Sequence, residues 1–265
     1  DGVLWTLRPV EFISAIELKT TLPRSYFAAD GNIAIAVRNP NSAVSAVVNV
    51  AVGRPAPHIT QGGVLNAASY RGGSFSPGEI VTVFGTNFGN AENSRVLFDS
   101  IPVSPLYLLP NQFSVVIPYS RAGASGTSLT IESGGQRSVP YVLPLVAAAP
   151  AVFTSDGTGK GLAAALNQDG SINSLSNPAE RGSIVVLFGT GGGLLTNEPL
   201  GRLESPTTAF VDGIEAELLY AGTAPGLTIG ALQFNIKIPN EATTGEVIIR
   251  VGDTESQGHV TVSLR

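Results

Sequence analysis

Gln112-Phe-Ser-Val-Val-Ile-Pro118 recurs as Gln233-Phe-Asn-Ile-Lys-Ile-Pro239 and again, more loosely, as Glu17-Leu-Lys-Thr-Thr-Leu-Pro23. Side chains alternate within each copy. Phe113, Val115 and Ile117 form one set, matched by Phe234, Ile236 and Ile238, and by Leu18, Thr20 and Leu22. A period of two lays these on the inner face of a sheet and puts Ser114, Asn235, Lys237 and Lys19 on the outer face. Proline closes each copy because it cannot donate to a central ladder. A polar turn, a second apolar strand, a hairpin and a third strand follow every copy. The chain therefore reads as an array of similar β modules and not as one large catalytic domain.

A second repeat covers two of the three copies. Pro77-Gly-Glu-Ile-Val-Thr-Val-Phe-Gly-Thr86 matches Arg181-Gly-Ser-Ile-Val-Val-Leu-Phe-Gly-Thr190. Arg95-Val-Leu-Phe-Asp99 resembles Ala209-Phe-Val-Asp212, and Tyr107 resembles Tyr220. Residues 1–53 then read as the back half of a module, with complete modules at 57–147 and 148–265. Short strands separated by Gly, Pro and Asn turns predict an all-β chain of tandem immunoglobulin-like antiparallel β-sandwiches. Ser155 to Leu175 has room for one short helical turn. The junctions Gly53-Arg-Pro-Ala-Pro57 and Ala147-Ala-Ala-Pro150 contain prolines, which stiffen a linker and predict semi-rigid stacking.

Of the 265 residues, 13% are charged, against about 25% in an ordinary soluble domain. The net charge of −5 gives no basic footprint, so nucleic acid is not an expected partner. Lys19, Lys160 and Lys237 are the only lysines. Lysine is what most often keeps sheet edges from pairing with other chains, so its scarcity suits a protein that packs against something. Cysteine and methionine are absent, which removes disulfide and thiolate-metal chemistry and suits exposure outside a cell. No apolar run is long enough to predict membrane insertion.

Two stretches carry a family resemblance. Gly63-Val-Leu-Asn-Ala-Ala-Ser-Tyr70 and Phe75 to Gly89, ending Gly85-Thr-Asn-Phe-Gly89, are similar to IPT/TIG immunoglobulin-like modules. Ala149-Pro-Ala-Val-Phe153, Ala165 to Asn173, Asn177 to Gly182, Phe188-Gly-Thr-Gly-Gly192 and Leu219-Tyr-Ala-Gly222 resemble the Solibacter-type C-terminal domain of large secreted bacterial proteins. The resemblance covers about residues 57–265. It implies an Ig-like sandwich and export, and it brings no activity with it. Asn87-Phe88 of the middle module is replaced by Gly191-Gly192 in the last, so that turn is free to differ in shape.

Few residues offer chemistry. Asn167, Asp169 and Asn173 have the alternating oxygens of a calcium loop, but Ala165 stands where the first acidic ligand is needed and Ser176 where the bidentate Glu is needed. The stretch reads better as an Asp-Gly turn. Gly189-Thr-Gly-Gly-Gly193 follows a strand, yet lacks the helix and the Lys-Ser/Thr pair of a phosphate cradle. His58 and His259 are the only histidines and neither belongs to a Ser-His-Asp pattern. Asp212, Glu215 and Glu217 read as a hairpin turn and a solvated strand face. No catalytic residues and no cofactor are expected. Trp5, Tyr26, Phe27 and Tyr119 are the candidate contact residues.

The expected function is contact outside a cell or on its surface, as a structural or adhesive protein. Its partners would be other copies of itself or further modules of the same protein. A half module exposes core and open strand edges, and a strand supplied by a neighbour would join such units into a filament. The alternatives are a polysaccharide-binding accessory module and the non-catalytic tail of a secreted enzyme.

Overall fold

The structure is a computed structural model that describes residues 6–27, 31–41, 43–53, 55–197 and 201–265. It divides into two compact units, Asp1–Pro55 and Ala56–Arg265. Trp5 lies outside the described residues.

The first unit is built from two hairpins. β1 (Glu11–Ser14) pairs antiparallel with β2 (Glu17–Lys19), and β3 (Gly31–Ile35) with β4 (Val48–Val52). One 3-10 turn, Arg24–Phe27, follows Pro23. No described residue of this unit is buried.

The second unit holds two β-sandwiches in succession. In the first, β5 (His58–Asn66), β6 (Ile80–Thr86), β7 (Ser94–Phe98), β8 (Ile101–Val103), β9 (Tyr107–Leu109), β10 (Gln112–Val116), β11 (Gly126–Ser133), β12 (Gln136–Arg137) and β13 (Tyr141–Pro144) make two sheets. One has the order β5-β6-β10-β9 and the other β12-β11-β7-β8, with β13 against β11. Their facing sides enclose Val83, Phe88, Val96, Phe98, Phe113, Leu129 and Ile131.

The last module contains β14 (Ala151–Val152), β15 (Gly161–Leu162), β16 (Ala165–Leu166), β17 (Ile184–Thr190), β18 (Thr207–Val211), β19 (Ile214–Thr223), β20 (Leu232–Lys237), β21 (Val247–Val251), β22 (Thr254–Glu255) and β23 (Val260–Thr261). Its strands run as one continuous sheet, β14-β17-β20-β19-β18-β21-β22, with β16 on β17. β19 serves both layers. It pairs with β18 through Ile214–Ala216 and with β20 through Glu217–Thr223, and its register shifts between Leu218 and Tyr220. A bulge of this type lets one strand turn the corner between layers. The middle module does the same with two strands, β8 and β9. Tyr107 and Tyr220 are equivalent, facing Ser114 and Asn235 across the ladder. β15 and β23 form a short parallel pair, and Ala179 and Leu264 make a single parallel bridge beside the antiparallel order.

The repeated strand is central in both complete modules. Phe113, Val115, Ile117, Phe234, Ile236 and Ile238 are all essentially inaccessible. Lys237 is exposed as its period predicts, but Ser114 is not: it is buried, and its hydroxyl donates to the Val81 carbonyl at 3.0 Å. The hydrogen bond is what allows a polar side chain to leave water there. No helix forms between Ser155 and Leu175; β15, β16 and glycine turns occupy that stretch.

Candidate functional site

The two complete modules meet along a seam that begins in the linker. Ala149 N–H donates to the Gly191 carbonyl at 2.7 Å. Gly189, Gly191 and Gly193 lie under alternate carbonyls of residues 147–151. A Cβ on each would stand 2.4 Å from Ala151 O, 2.1 Å from Ala149 O and 2.2 Å from Ala147 O respectively. No side chain fits at those distances, so the alternate glycines are a bed for the linker backbone. The glycine-rich run is therefore neither a phosphate cradle nor a simple turn.

Between those glycines, Thr190 reaches the other way. Its hydroxyl accepts the Ile80 N–H at 2.8 Å and donates to the Gly230 carbonyl at 2.8 Å. Gly230 has φ +87°, and a Cβ there would sit 2.7 Å from the Gly78 carbonyl oxygen. Around this contact Ile80, Ala224 and Ala231 are buried together with parts of Ala67, Val116, Phe153 and Phe188.

A polar cluster closes the seam. Pro77-Gly78 is a turn with Gly78 at φ +78°, the geometry of a type II turn. It folds Glu79 back onto Ser76. Ser76 N–H donates to Glu79 Oε2 at 2.7 Å and Asn66 Nδ2 donates to Glu79 Oε1 at 2.8 Å. Asn66 Oδ1 accepts from the Ala68 and Ser69 amides, which fixes its amide orientation. Asn66 Nδ2 also faces Ala149 O at 3.4 Å, and Ser76 Oγ donates to Gly191 O at 3.0 Å. Ser76 Oγ is 3.3 Å from Glu79 Oε2. Its single proton serves the nearer Gly191 carbonyl, so a protonated Glu79 can supply the hydrogen for the other contact. Glu79 is fully buried, and burial pushes its carboxyl from 4.5 up to about 8 against the opposing pull of its hydrogen bonds. A buried carboxyl without a cation favours its neutral form.

Each module also carries an aspartate clamp. Asp99-Ser100 and Asp212-Gly213 have positive φ at both positions and join β7 to β8 and β18 to β19, as a type I′ hairpin requires. The Asp212 carboxylate accepts the N–H groups of Thr243, Thr244, Gly245 and Glu246, along with the Thr244 hydroxyl. Although burial works against it, this set holds the carboxyl far below the usual range. Asp99 accepts from the Thr127 hydroxyl at 2.6 Å and the Ser128 amide at 2.8 Å, with Arg121 Nε 3.0 Å away. The densest carboxylate cluster of the sequence thus contains a structural clamp in Asp212, and Glu215 and Glu217 lie exposed on β19.

Asn167, Asp169 and Asn173 use their oxygens on protein groups. Asp169 Oδ1 accepts from the Ser171 amide and hydroxyl, and Asn167 Oδ1 from Asn173 Nδ2. Asn173 is buried and both donates to and accepts from the Ser263 backbone, pinning the chain just after the last strand. Among the described residues no group of three His, Asp or Glu side chains is placed to hold a metal.

The contact candidates scatter. Tyr119 is half-buried with its ring over Gly78, where a Cβ would meet it at 2.2 Å. Tyr26 is half-buried, takes a hydrogen bond from Arg8 at 3.0 Å, and has the Arg8 guanidinium over its ring. Phe27 is 51% exposed. A shallow groove between Arg202, Glu204, Pro206 and Tyr220 lies on the last module. The Arg202 guanidinium sits 5.1 Å from the Tyr220 ring centre, so that ring already has a partner on one face. Among the described residues no helix is long and apolar enough to cross a membrane.

Sequence reasoning missed Glu79, Asn66 and Thr190. Glu79 and Thr190 sit in the repeated stretches and Asn66 in the stretch that resembles IPT/TIG modules, and one signal was available. Where the last module has Ser183, the middle one has a charged residue immediately before an apolar strand.

No curated relative matches the chain. Among solved structures, the chain is similar to SGBP-B of the Bacteroides ovatus mixed-linkage glucan utilization locus at 14% identity, covering 89% of this chain and 53% of that one, with a TM-score of 0.35. SGBP-B from a xyloglucan utilization locus in Bacteroides uniformis gives 16% identity, 76% and 48% coverage and a TM-score of 0.26. The plexin A4 extracellular region gives 15%, 78%, 18% and 0.30. The chain spans about half the length or less of these proteins, and similarities this distant carry no argument about what it binds. The sandwich fold rests on the sheets described above and on a family profile: residues 66–143 match the IPT/TIG domain.

Proposed function

We propose that this chain is a non-catalytic structural or adhesive segment of an exported bacterial protein. It holds Ig-like modules in a fixed stack and makes its contacts through surfaces at the ends of that stack. The observation that supports this best is the seam, where linker backbone, Thr190 and the Glu79 cluster are all buried between modules. Loosely tethered modules have small, wet contacts and move independently; a seam with inaccessible polar groups resists such motion because opening it strands them. The low charge and missing sulfur of the sequence fit an extracellular or cell-surface location. In its furthest form the first unit joins neighbouring chains into a filament, with the joining strands supplied from outside their two complete modules.

Small-angle scattering of the full chain, beside a Gly191→Val variant, tests the stack. Stiffness is expected in the parent and an enlarged, broader distance distribution in the variant. Identical curves for both would refute a functional joint. Negative-stain microscopy at rising concentration tests the filament form. A screen of soluble polysaccharides is the counter-test, and saturable glycan binding would move the function to a binding module.

A further inference from the structure

The first unit can be laid on the complete modules residue by residue. In the middle module β10 has β9 on one edge, pairing with residues 112–114 only, and β6 on the other, pairing with residues 112–116. β2 has a matching neighbour over two positions: Phe12 faces Leu18 and Glu11 faces Lys19, as Leu108 faces Phe113 and Tyr107 faces Ser114; the register then shifts, and Ser14 faces Glu17. Among the described residues nothing pairs with its other edge. β2 stops at Lys19, where the β9-type neighbour ends. The positions that only a β6-type strand would hold, Thr20 and Thr21, are not in a strand. The packing agrees. Leu18 is 47% exposed, whereas its counterparts Phe113 and Phe234 are buried to within 1%. Phe12, Val48 and Val50 are exposed as well.

Both complete modules agree on the missing register. Gln112 faces Phe84 and Val116 faces Ile80; Gln233 faces Phe188 and Lys237 faces Ile184. We propose that the first unit is an acceptor for one kind of partner, a segment of the Ile80–Val103 type, whose first two strands go to different sheets. Its first strand lies along Glu17–Thr21, with its aromatic residue opposite Glu17 and its leading isoleucine opposite Thr21. The second strand adds to β3, as β7 adds to β11. This is strand addition with a defined register, where backbone bonds give affinity and alternate side chains fill the core. It rests on reading the chain as a stacked structural array and names the chemistry of the unpaired edge of its first unit. A second intact copy does not supply the partner. Its two strands of this pattern, β6 and β17, are each paired on both edges and hold buried valines, so donating one would open a core.

The test mixes the full chain with a synthetic peptide of residues 77–103 and follows backbone amide exchange. Residues 17–21 and 31–35 are expected to slow by about tenfold or more as the peptide saturates at one per chain. Residues 112–116 and 233–237 should not change. The effect should vanish with a scrambled peptide and in a Leu18→Asp chain. Three results would overturn the proposal: no slowing at 17–21, slowing that survives Leu18→Asp, and dimers of the chain alone that protect the same edge. The last would assign the edge to a second copy. Protection at residues 147–151 and 189–193, read in the same spectra, reports the module seam separately, so loss of the stacking reading would be seen on its own.

Discussion

Glu79 should make the stability of this protein fall as pH rises through neutrality. Its carboxyl is raised from 4.5 to about 8 by burial. Between those values the folded chain holds a proton that the unfolded chain has lost, so the stabilisation is complete below 4.5 and declines up to about 8. The slope is about 1.36 kcal/mol per pH, about 5 kcal/mol over the interval. The carboxylates of Asp99, Asp156, Asp169 and Asp212 are depressed and titrate below that window. Glu79→Gln is the matching perturbation because it is neutral throughout. Its NH2 group must meet a donor, either Ser76 N–H or the fixed Asn66 Nδ2, at a cost of about 1–3 kcal/mol. Urea unfolding followed by circular dichroism, repeated from about pH 5 to about pH 8, should show the parent more stable at the acid end. The two curves should cross before the alkaline end. A parent with flat stability, or a Gln variant with the parent's slope, would refute the reasoning.

Further substitutions test single features. Phe88→Ala removes a fully buried ring packed edge-on against Phe113 at 5.0 Å, and should cost about 3–5 kcal/mol in thermal or urea unfolding of the middle module. Asp212→Ala should cost about 2 kcal/mol or more, since four amides lose a charged acceptor; it should also remove part of the acid unfolding seen as pH falls below the ordinary Asp value. Gly230→Ala places a Cβ against the Gly78 carbonyl at a positive φ. It should loosen the seam by about 1–2 kcal/mol or more, read as faster amide exchange at Ile80 with little change at Phe113.

The repeat made the strands legible, because a period of two with terminal proline states both face and end. It located Phe113, Val115 and Ile117 as core and placed the Asp212-Gly213 turn. The seam was not legible, for a physical reason. Gly189, Gly191 and Gly193 look like any turn until the linker carbonyls above them are known, and those come from 40 or so residues earlier in the chain. Glu79 likewise looks solvated in a sequence, and only tertiary packing removes its water. The middle and last modules also share more than Asn87-Phe88 and Gly191-Gly192 suggested. Asn87 has φ +59° and Gly191 φ +82°, so the bend is kept. What the last module gives up is the Phe88 ring, and Gly192 has Leu203 and Leu232 within 3 Å of where a Cβ would stand.

The glycine bed reads the linker by spacing and ignores its spelling. Three alternate carbonyls must arrive over three alternate glycines, and it is backbone oxygen that meets the glycines there. Exposed Ala147 could change in composition over evolutionary time, whereas Ala148 is buried in the core of the last module and the length of the run is locked. Gaining or losing one residue would turn every carbonyl of the run to the opposite side and uncouple the modules at a stroke. A protein assembled this way can exchange whole modules between chains, provided each travels with its own glycine run and receives a linker of the same count.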